Sequence, residues 1–264
     1  MALCGGYAIM KVLSEREEHN METWSGFEFH RHVFEEREAF VVCPNPGTAN
    51  GHLLLKTEYW GAFPATEAAL LARGFHLCFV RNTNRWGTDD NLDRQARFVR
   101  HIQQEYGLTG KVVPVGMSCG GLIAIKFAAK YPELADCLYL DAPVVNYMSC
   151  PCGYGVGEVL GGGSAIPEIL SALQLPDVAH LMAYREMPLD KLPQLVSHRI
   201  PTILVAGDSD NTVPYSENGI LVKEAYEAAG LPITVYVKPG CDHHPHGLED
   251  PTPVADFICT ACGV

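Results

Sequence analysis

The chain has 264 residues, of which 47% are apolar and 19% charged, which describes an ordinary globular protein with a sizeable core and excludes a disordered one. Its formal charge of −12 argues against nucleic acid or an anionic membrane surface as partner. No run approaches the ~18 consecutive apolar residues a membrane span needs, and Met1 to Leu13, with Lys11 as its sole base, lacks the pattern of a secretory signal, so a cytoplasmic location is expected.

In chain order, residues 27–34 and 39–43 are two extended runs around Glu35-Glu36-Arg37-Glu38, the pattern of an antiparallel hairpin at a sheet edge. A strand is predicted over 52–59, a helix over 64–73 closed by Gly74, and a strand over 76–81. Residues 91–106 form an amphipathic helix, with Leu92, Val99, Ile102 and Tyr106 on one face and Gly107 at its end. A strand over 111–115 leads into a helix over 119–130, stopped by Tyr131-Pro132. Strands follow at 137–140, 202–206 and 233–237, with a helix over 216–229 and a last helix beginning near Pro253.

This alternation predicts a single α/β domain, 1–264, with crossover helices around a mostly parallel sheet. Between 145 and 199 the rhythm breaks: Gly153, Gly155, Gly157 and the run Gly161-Gly162-Gly163 precede short helical pieces. An insertion there would cap the carboxyl edge of the sheet, where open α/β sheets bind ligands.

Gly116-Met117-Ser118-Cys119-Gly120-Gly121 lies between the predicted strand 111–115 and the helix it opens. A serine hydroxyl attacks well when it projects from a tight strand-to-helix turn whose crowding is relieved by flanking glycines. Such a turn also sets an oxyanion at a helix N-terminus and makes the Cys119 N–H its first donor. The Cys119 thiol is a rival nucleophile, but one place past the apex its sulfur should turn into the fold.

Gly207-Asp208-Ser209-Asp210-Asn211-Thr212-Val213-Pro214 follows the strand over 202–206. A carboxylate there is placed to orient a histidine; the spacing Gly-x-x-Asp-x-x-Val-Pro favours Asp210, and Asp208 is read as a turn residue. After the last strand comes Cys241-Asp242-His243-His244-Pro245-His246-Gly247. Three clustered histidines raise the question of metal, but the order 118, 210, 243 is that of a hydrolase triad. His243 is therefore read as the base, with His244 and His246 holding the loop or touching substrate, and neither metal nor cofactor is expected.

These residues resemble the α/β-hydrolase superfamily from roughly residue 40 to the end. Thr57-Glu58-Tyr59-Trp60-Gly61-Ala62-Phe63-Pro64, Asn84-Arg85-Trp86-Gly87-Thr88, the serine turn, and His243-His244-Pro245-His246-Gly247-Leu248-Glu249-Asp250-Pro251 look like a group of bacterial hydrolases related to prolyl-oligopeptidase-like and carbohydrate esterases. The resemblance implies an α/β-hydrolase fold with an eight-stranded, mostly parallel sheet and a Ser118–Asp210–His243 triad. The superfamily's oxyanion loop often carries His-Gly, where this chain has Glu58-Tyr59-Trp60-Gly61, so the second donor is assigned to the backbone N–H of Trp60 or Tyr59. Asp242 stands where a glycine usually precedes the base, as a second carboxylate or as a surface turn residue. Tyr59, Trp60 and Trp86 are candidates to line a pocket for an aromatic or sugar group.

The ten cysteines read as reduced thiols, since Cys150 and Cys152 have one residue between them and do not match Cys259 and Cys262 as a zinc ribbon. The expected chemistry is hydrolysis of a carboxylic ester of a small molecule through an acyl-enzyme. Amide or short-peptide cleavage, a catalytically silent ligand-binding protein of the same fold, and a lyase are the alternatives. Apolar stretches of the cap or the N-terminal hairpin are candidate faces for a second copy of the chain.

Overall fold

The computed structural model describes residues 22–159 and 163–264. The N-terminal segment read against a secretory signal, and Gly161 and Gly162, lie outside the described residues. Among the described residues nine strands form one sheet: β1 (Thr23–Trp24), β2 (Phe27–Phe34), β3 (Arg37–Cys43), β4 (Leu53–Lys56), β5 (His76–Val80), β6 (Val112–Met117), β7 (Leu138–Asp141), β8 (Thr202–Gly207) and β9 (Thr234–Lys238). Their order is β1-β2-β3-β5-β4-β6-β7-β8-β9. The hairpin β2–β3 and its contact with β5 are antiparallel, and everything from β5 to β9 is parallel. The eight expected strands become nine because Thr23 and Trp24 add a short edge pairing to β2.

The hairpin turn is tighter than the charged run suggests. Phe34 pairs with Arg37 across Glu35 and Glu36, whose φ values of 48° and 60° are those of a two-residue turn matching the strand twist. Arg97 and Arg94 hold the Glu35 carboxylate, an anchor supplied from a distant helix. β4 stops at Lys56 instead of running to 59, because Tyr59 adopts φ 56° and turns the chain away. There the Thr57 hydroxyl donates to the Gly120 carbonyl at 2.7 Å, tying this loop to the serine turn.

Among the described residues there are eight helices: α1 (Ala65–Leu71), α2 (Asp89–Glu105), α3 (Cys119–Lys130), α4 (Ile166–Leu173), α5 (Val178–Ala183), α6 (Pro188–Ser197), α7 (Gly219–Ala228) and α8 (Thr252–Cys262). The central strands are apolar on both faces, as parallel strands sandwiched between helices must be. In β6, Val113 and Val115 pack under α1 and α8 with Leu70, Val254 and Ile258, while Val112 faces the opposite layer with Phe98, Ile102 and Phe127. Each such fully buried aliphatic or aromatic side chain contributes about 1.5–3 kcal/mol through lost apolar surface.

The segment 145–199 divides. Helix α6 buries Leu192 and Leu195 against α3 and α7, so it is a sheet-flanking crossover helix between β7 and β8 and not part of an overlying cap. Residues before it, including Tyr147, Cys150, Cys152, Ile169 and Leu181, pack into the same apolar cluster as Trp86. The cysteines among the described residues are all free, Cys150 and Cys152 among them. Burial pushes the Cys150 thiol up to about 12 and the Cys152 thiol up to about 11, as befits small packing residues. No helix among the described residues is long and apolar enough to cross a membrane.

One charge sits poorly in this frame. Lys126, inside α3, is 5% exposed, and burial lowers its pKa to about 8 from the usual 10.5. Because the folded value lies below the unfolded one, the unfolded chain binds more protons between about pH 8 and 10.5, and stability rises with pH through that window. Below pH 8 the whole penalty is carried. Lys126→Met should therefore stabilise the protein at pH 7 by about 1–3 kcal/mol, at roughly 1.4 kcal/mol per pKa unit reduced for cavity water. Urea unfolding at pH 7 and pH 10 checks it: the gain should shrink at the higher pH.

Candidate active site

Ser118 is the residue between β6 and α3. Its φ of 51° and ψ of −124° belong to a sparsely populated region for a side-chain-bearing residue, strain of the kind stored at reactive turns. The flanking glycines make the turn possible. A Cβ on Gly116 would meet the Gly120 carbonyl oxygen at 2.5 Å, and one on Gly121 would meet the Pro143 Cβ at 2.4 Å. The Ser118 N–H donates to the Asp141 carbonyl and its own carbonyl accepts from the Val144 N–H, each at 3.0 Å, so the apex is fastened to the chain leaving β7.

The loops after β8 and β9 bring the other two groups to this apex. The Ser118 hydroxyl lies 3.1 Å from Nε2 of His243, and Nδ1 of His243 lies 2.8 Å from Oδ2 of Asp210. All three are buried. The second oxygen of Asp210 accepts from the N–H groups of Thr212 and Val213 at 2.9 and 2.7 Å, which fixes the orientation of the carboxylate facing the imidazole. Asp208 instead accepts from the Gly240 N–H at 2.7 Å and is a turn residue. Asp242 is also a turn residue: it accepts from the N–H groups of Asn211 and His243, which lowers its pKa and staples the acid loop to the base loop.

The Cys119 thiol turns inward as the turn geometry predicts. It is fully buried beside the Tyr59 hydroxyl, and burial pushes its pKa up to about 11, so it stays protonated and inaccessible. The Cys119 N–H opens α3, where helix N–H groups lack intrahelical acceptors. On the opposite loop the Tyr59 N–H is engaged with the Glu58 carboxylate at 3.4 Å, whereas the Trp60 N–H has no acceptor among the described residues.

The aromatic candidates separate. Tyr59 lines the space beside Ser118. The Trp60 ring does not; it packs among Trp24, Phe29, Phe40 and Phe79. Trp86 is not a substrate contact either, since it is fully buried edge-on against Tyr147 with ring centroids 5.8 Å apart. A pocket of about 340 Å³ opens beside the serine, lined by Tyr59, Ala62, Phe63, Met117, Ser118, Thr212, His243, His244 and His246, with no carboxylate among them. His244 stacks on Phe63, and burial together with the two adjacent imidazoles holds it below the ordinary histidine range.

A second acid–imidazole pair stands behind the row. Asp141, at the end of β7, accepts from Nδ1 of His246 at 2.9 Å, from the Tyr139 hydroxyl at 2.9 Å and from the Gly247 N–H. Sequence reasoning assigned no role to Asp141. The one available signal is a carboxylate at the end of the strand beside the serine strand.

This sheet, with a serine turn at its carboxyl edge and a buried hydroxyl–imidazole–carboxylate row, defines a serine hydrolase of the α/β-hydrolase fold. Residues 79–257 match the family described as the prolyl oligopeptidase family, and the chain belongs to it. Among solved structures it is similar to a Mycobacterium tuberculosis puromycin-hydrolyzing peptidase, at 15% identity and a TM-score of 0.69, over 92% of this chain and 40% of that one. A puromycin hydrolase aligns at 16% identity and a TM-score of 0.66, over 90% of this chain and 39% of that one. The Pyrococcus horikoshii acylaminoacyl peptidase aligns at 12% and 0.63, over 83% of this chain and 38% of that one. At such identities the likeness is one of fold, and the chain spans about two-fifths of the length of these structures.

Proposed function

We propose that Ser118, His243 and Asp210 are the catalytic row of a peptidase-type acyl hydrolase, acting on small amides whose acyl side carries no free ammonium. The observation that carries the reading is the unbroken buried row, 3.1 Å from serine to imidazole and 2.8 Å from imidazole to carboxylate. Nε2 of His243 takes the Ser118 proton as Oγ attacks the carbonyl carbon. The oxyanion lies against the N–H groups of Cys119 and Trp60. His243 then gives its proton to the leaving nitrogen, water attacks the acyl-enzyme with His243 again as base, and Asp210 keeps the imidazole in the correct tautomer throughout.

Family membership favours an amide. The carboxylate-free lining favours an uncharged acyl group, such as an N-acylated residue, because a buried ammonium needs a paired anion. Carboxylic esters of the same acids are the second reading, since the pocket of about 340 Å³ selects the acyl group regardless of its leaving group. Matched N-acetyl-alanyl and free alanyl substrates, each as p-nitroanilide and p-nitrophenyl ester, test both points. The acetylated members should exceed the free-amine members by at least ~10-fold in kcat/KM, about the 1.4 kcal/mol that one unpaired charge readily exceeds. Preference for the free amine would refute the uncharged-acyl reading, and absence of fluorophosphonate labelling would indicate a silent ligand-binding protein.

A further inference from the structure

The catalytic row uses one of three imidazoles that meet at the pocket. His243, His244 and His246 each present a ring nitrogen so that the three nitrogens lie within 4.8 Å of one another. Two of these rings are oriented from behind by carboxylates. His243 donates its Nδ1 proton to Asp210, and His246 donates its Nδ1 proton to Asp141, each within 2.9 Å. Such a bond fixes the tautomer and leaves the Nε2 lone pair pointing away from the carboxylate, which is how proteins hold histidines that ligate metal.

The orienting groups are themselves held. Asp141 accepts from the Tyr139 hydroxyl and the Gly247 N–H, and Asp210 from two further backbone N–H groups. Nε2 of the buried His246 has no hydrogen-bond partner among the described residues. The two carboxylates hold the rings from behind and do not line the pocket, so what the site offers a metal ion is imidazole lone pairs, which an ammonium cannot use.

Three imidazole nitrogens suit zinc and its first-row neighbours and not magnesium or calcium, which take oxygen ligands. We propose that His243, His244 and His246 bind a zinc-class divalent cation that reversibly blocks the hydrolase, because the metal occupies the Nε2 lone pair that must accept the Ser118 proton. The fourth position falls to water. Tetrahedral Zn–N bonds of about 2.0–2.1 Å place nitrogens about 3.4 Å apart, so the rings close by at most ~1.4 Å. The exposed His244 has no carboxylate behind it among the described residues, only its stack on Phe63, and is the ring that moves. Blocking rests on the function proposed above; binding does not.

The two halves are tested separately. Calorimetric titration of Ser118→Ala protein needs no turnover and should show one equivalent of Zn²⁺ bound and no heat from Mg²⁺. His246→Ala and His244→Ala should each weaken Zn²⁺ binding by at least ~10-fold, and Asp141→Asn by about 10–100-fold, the effect of removing a group that orients a ligand. Circular dichroism confirms folding of each variant, and the exposed His244 makes its variant the safest. His52, Asp136 and Cys262 form a separate cluster elsewhere in the fold, so Cys262→Ser is the control and should leave the affinity unchanged. No stoichiometric binding, affinity unchanged from the Ser118→Ala parent in either histidine variant, or a loss confined to Cys262→Ser overturns the site. In the wild-type enzyme Zn²⁺ should abolish turnover and EDTA restore it; turnover continuing with the site filled overturns the blocking.

Discussion

Ser118→Ala is expected to lower kcat/KM by about 10⁴–10⁶-fold, the scale on which removal of a triad nucleophile acts in serine proteases. The hydroxyl is the sole nucleophile at the apex, since the neighbouring Cys119 thiol is fully buried and protonated at neutral pH. Asp210→Asn should cost about 10⁴-fold, because an amide facing Nδ1 favours the imidazole tautomer that cannot accept the serine proton. Fold and cavity stay intact in both, so substrate binding measured by equilibrium methods should change little while the chemical step is lost. Fluorophosphonate labelling gives an independent reading: Ser118→Ala should abolish it. Residual activity within tenfold of wild type in Ser118→Ala would mean that another group attacks.

The serine turn is legible in the sequence because its geometry is forced locally. A Cβ on Gly116 would meet the Gly120 carbonyl oxygen at 2.5 Å inside the turn itself, so that glycine carries the turn without knowledge of the rest of the fold, whereas Gly121 answers to Pro143 on the next loop. The loops of Asp210 and His243 are legible for a related reason, since each follows an apolar strand whose direction is fixed by parallel pairing. The aromatic residues carry no such local constraint. Whether Trp86 faces a pocket or the core depends on Tyr147, 61 residues away, whose hydroxyl bonds to the Trp86 carbonyl.

The Asp141–His246 pair is non-local in the same way, joining residues 105 apart in the chain. An aspartate closing an apolar strand reads as an ordinary strand end until its neighbour's loop is in place. The hydrophobic period of α6 likewise announces a helix but not its layer, because Leu192 and Leu195 look alike whether they face a cap or α3. Periodicity fixes which face of an element is apolar. It does not say what covers that face.

The loop proposed to hold the oxyanion depends on a buried ion pair, and breaking it should produce the largest loss of stability. Lys56 ends β4 and Glu67 lies in the first turn of α1; their side chains are 2% and 3% exposed and hydrogen-bonded to each other. Lys56 also donates to the Ala62 carbonyl at 3.3 Å, inside the loop that carries Tyr59 and Trp60. Removing one partner strands the other charge in the core, which costs about 3–5 kcal/mol, whereas replacing both by apolar groups is often nearly neutral. Lys56→Met and Glu67→Leu should therefore each lower unfolding stability by that amount in urea, and the double variant should recover most of it. Recovery of stability should not restore catalysis, because the Ala62 carbonyl still lacks its donor and the Trp60 N–H loses its fixed aim at the oxyanion. The double variant is thus expected to fold like the wild type yet turn over about 10-fold more slowly, at ~1.4 kcal/mol per tenfold, with KM little changed. Additive losses in the double variant would show that the two charges do not depend on each other.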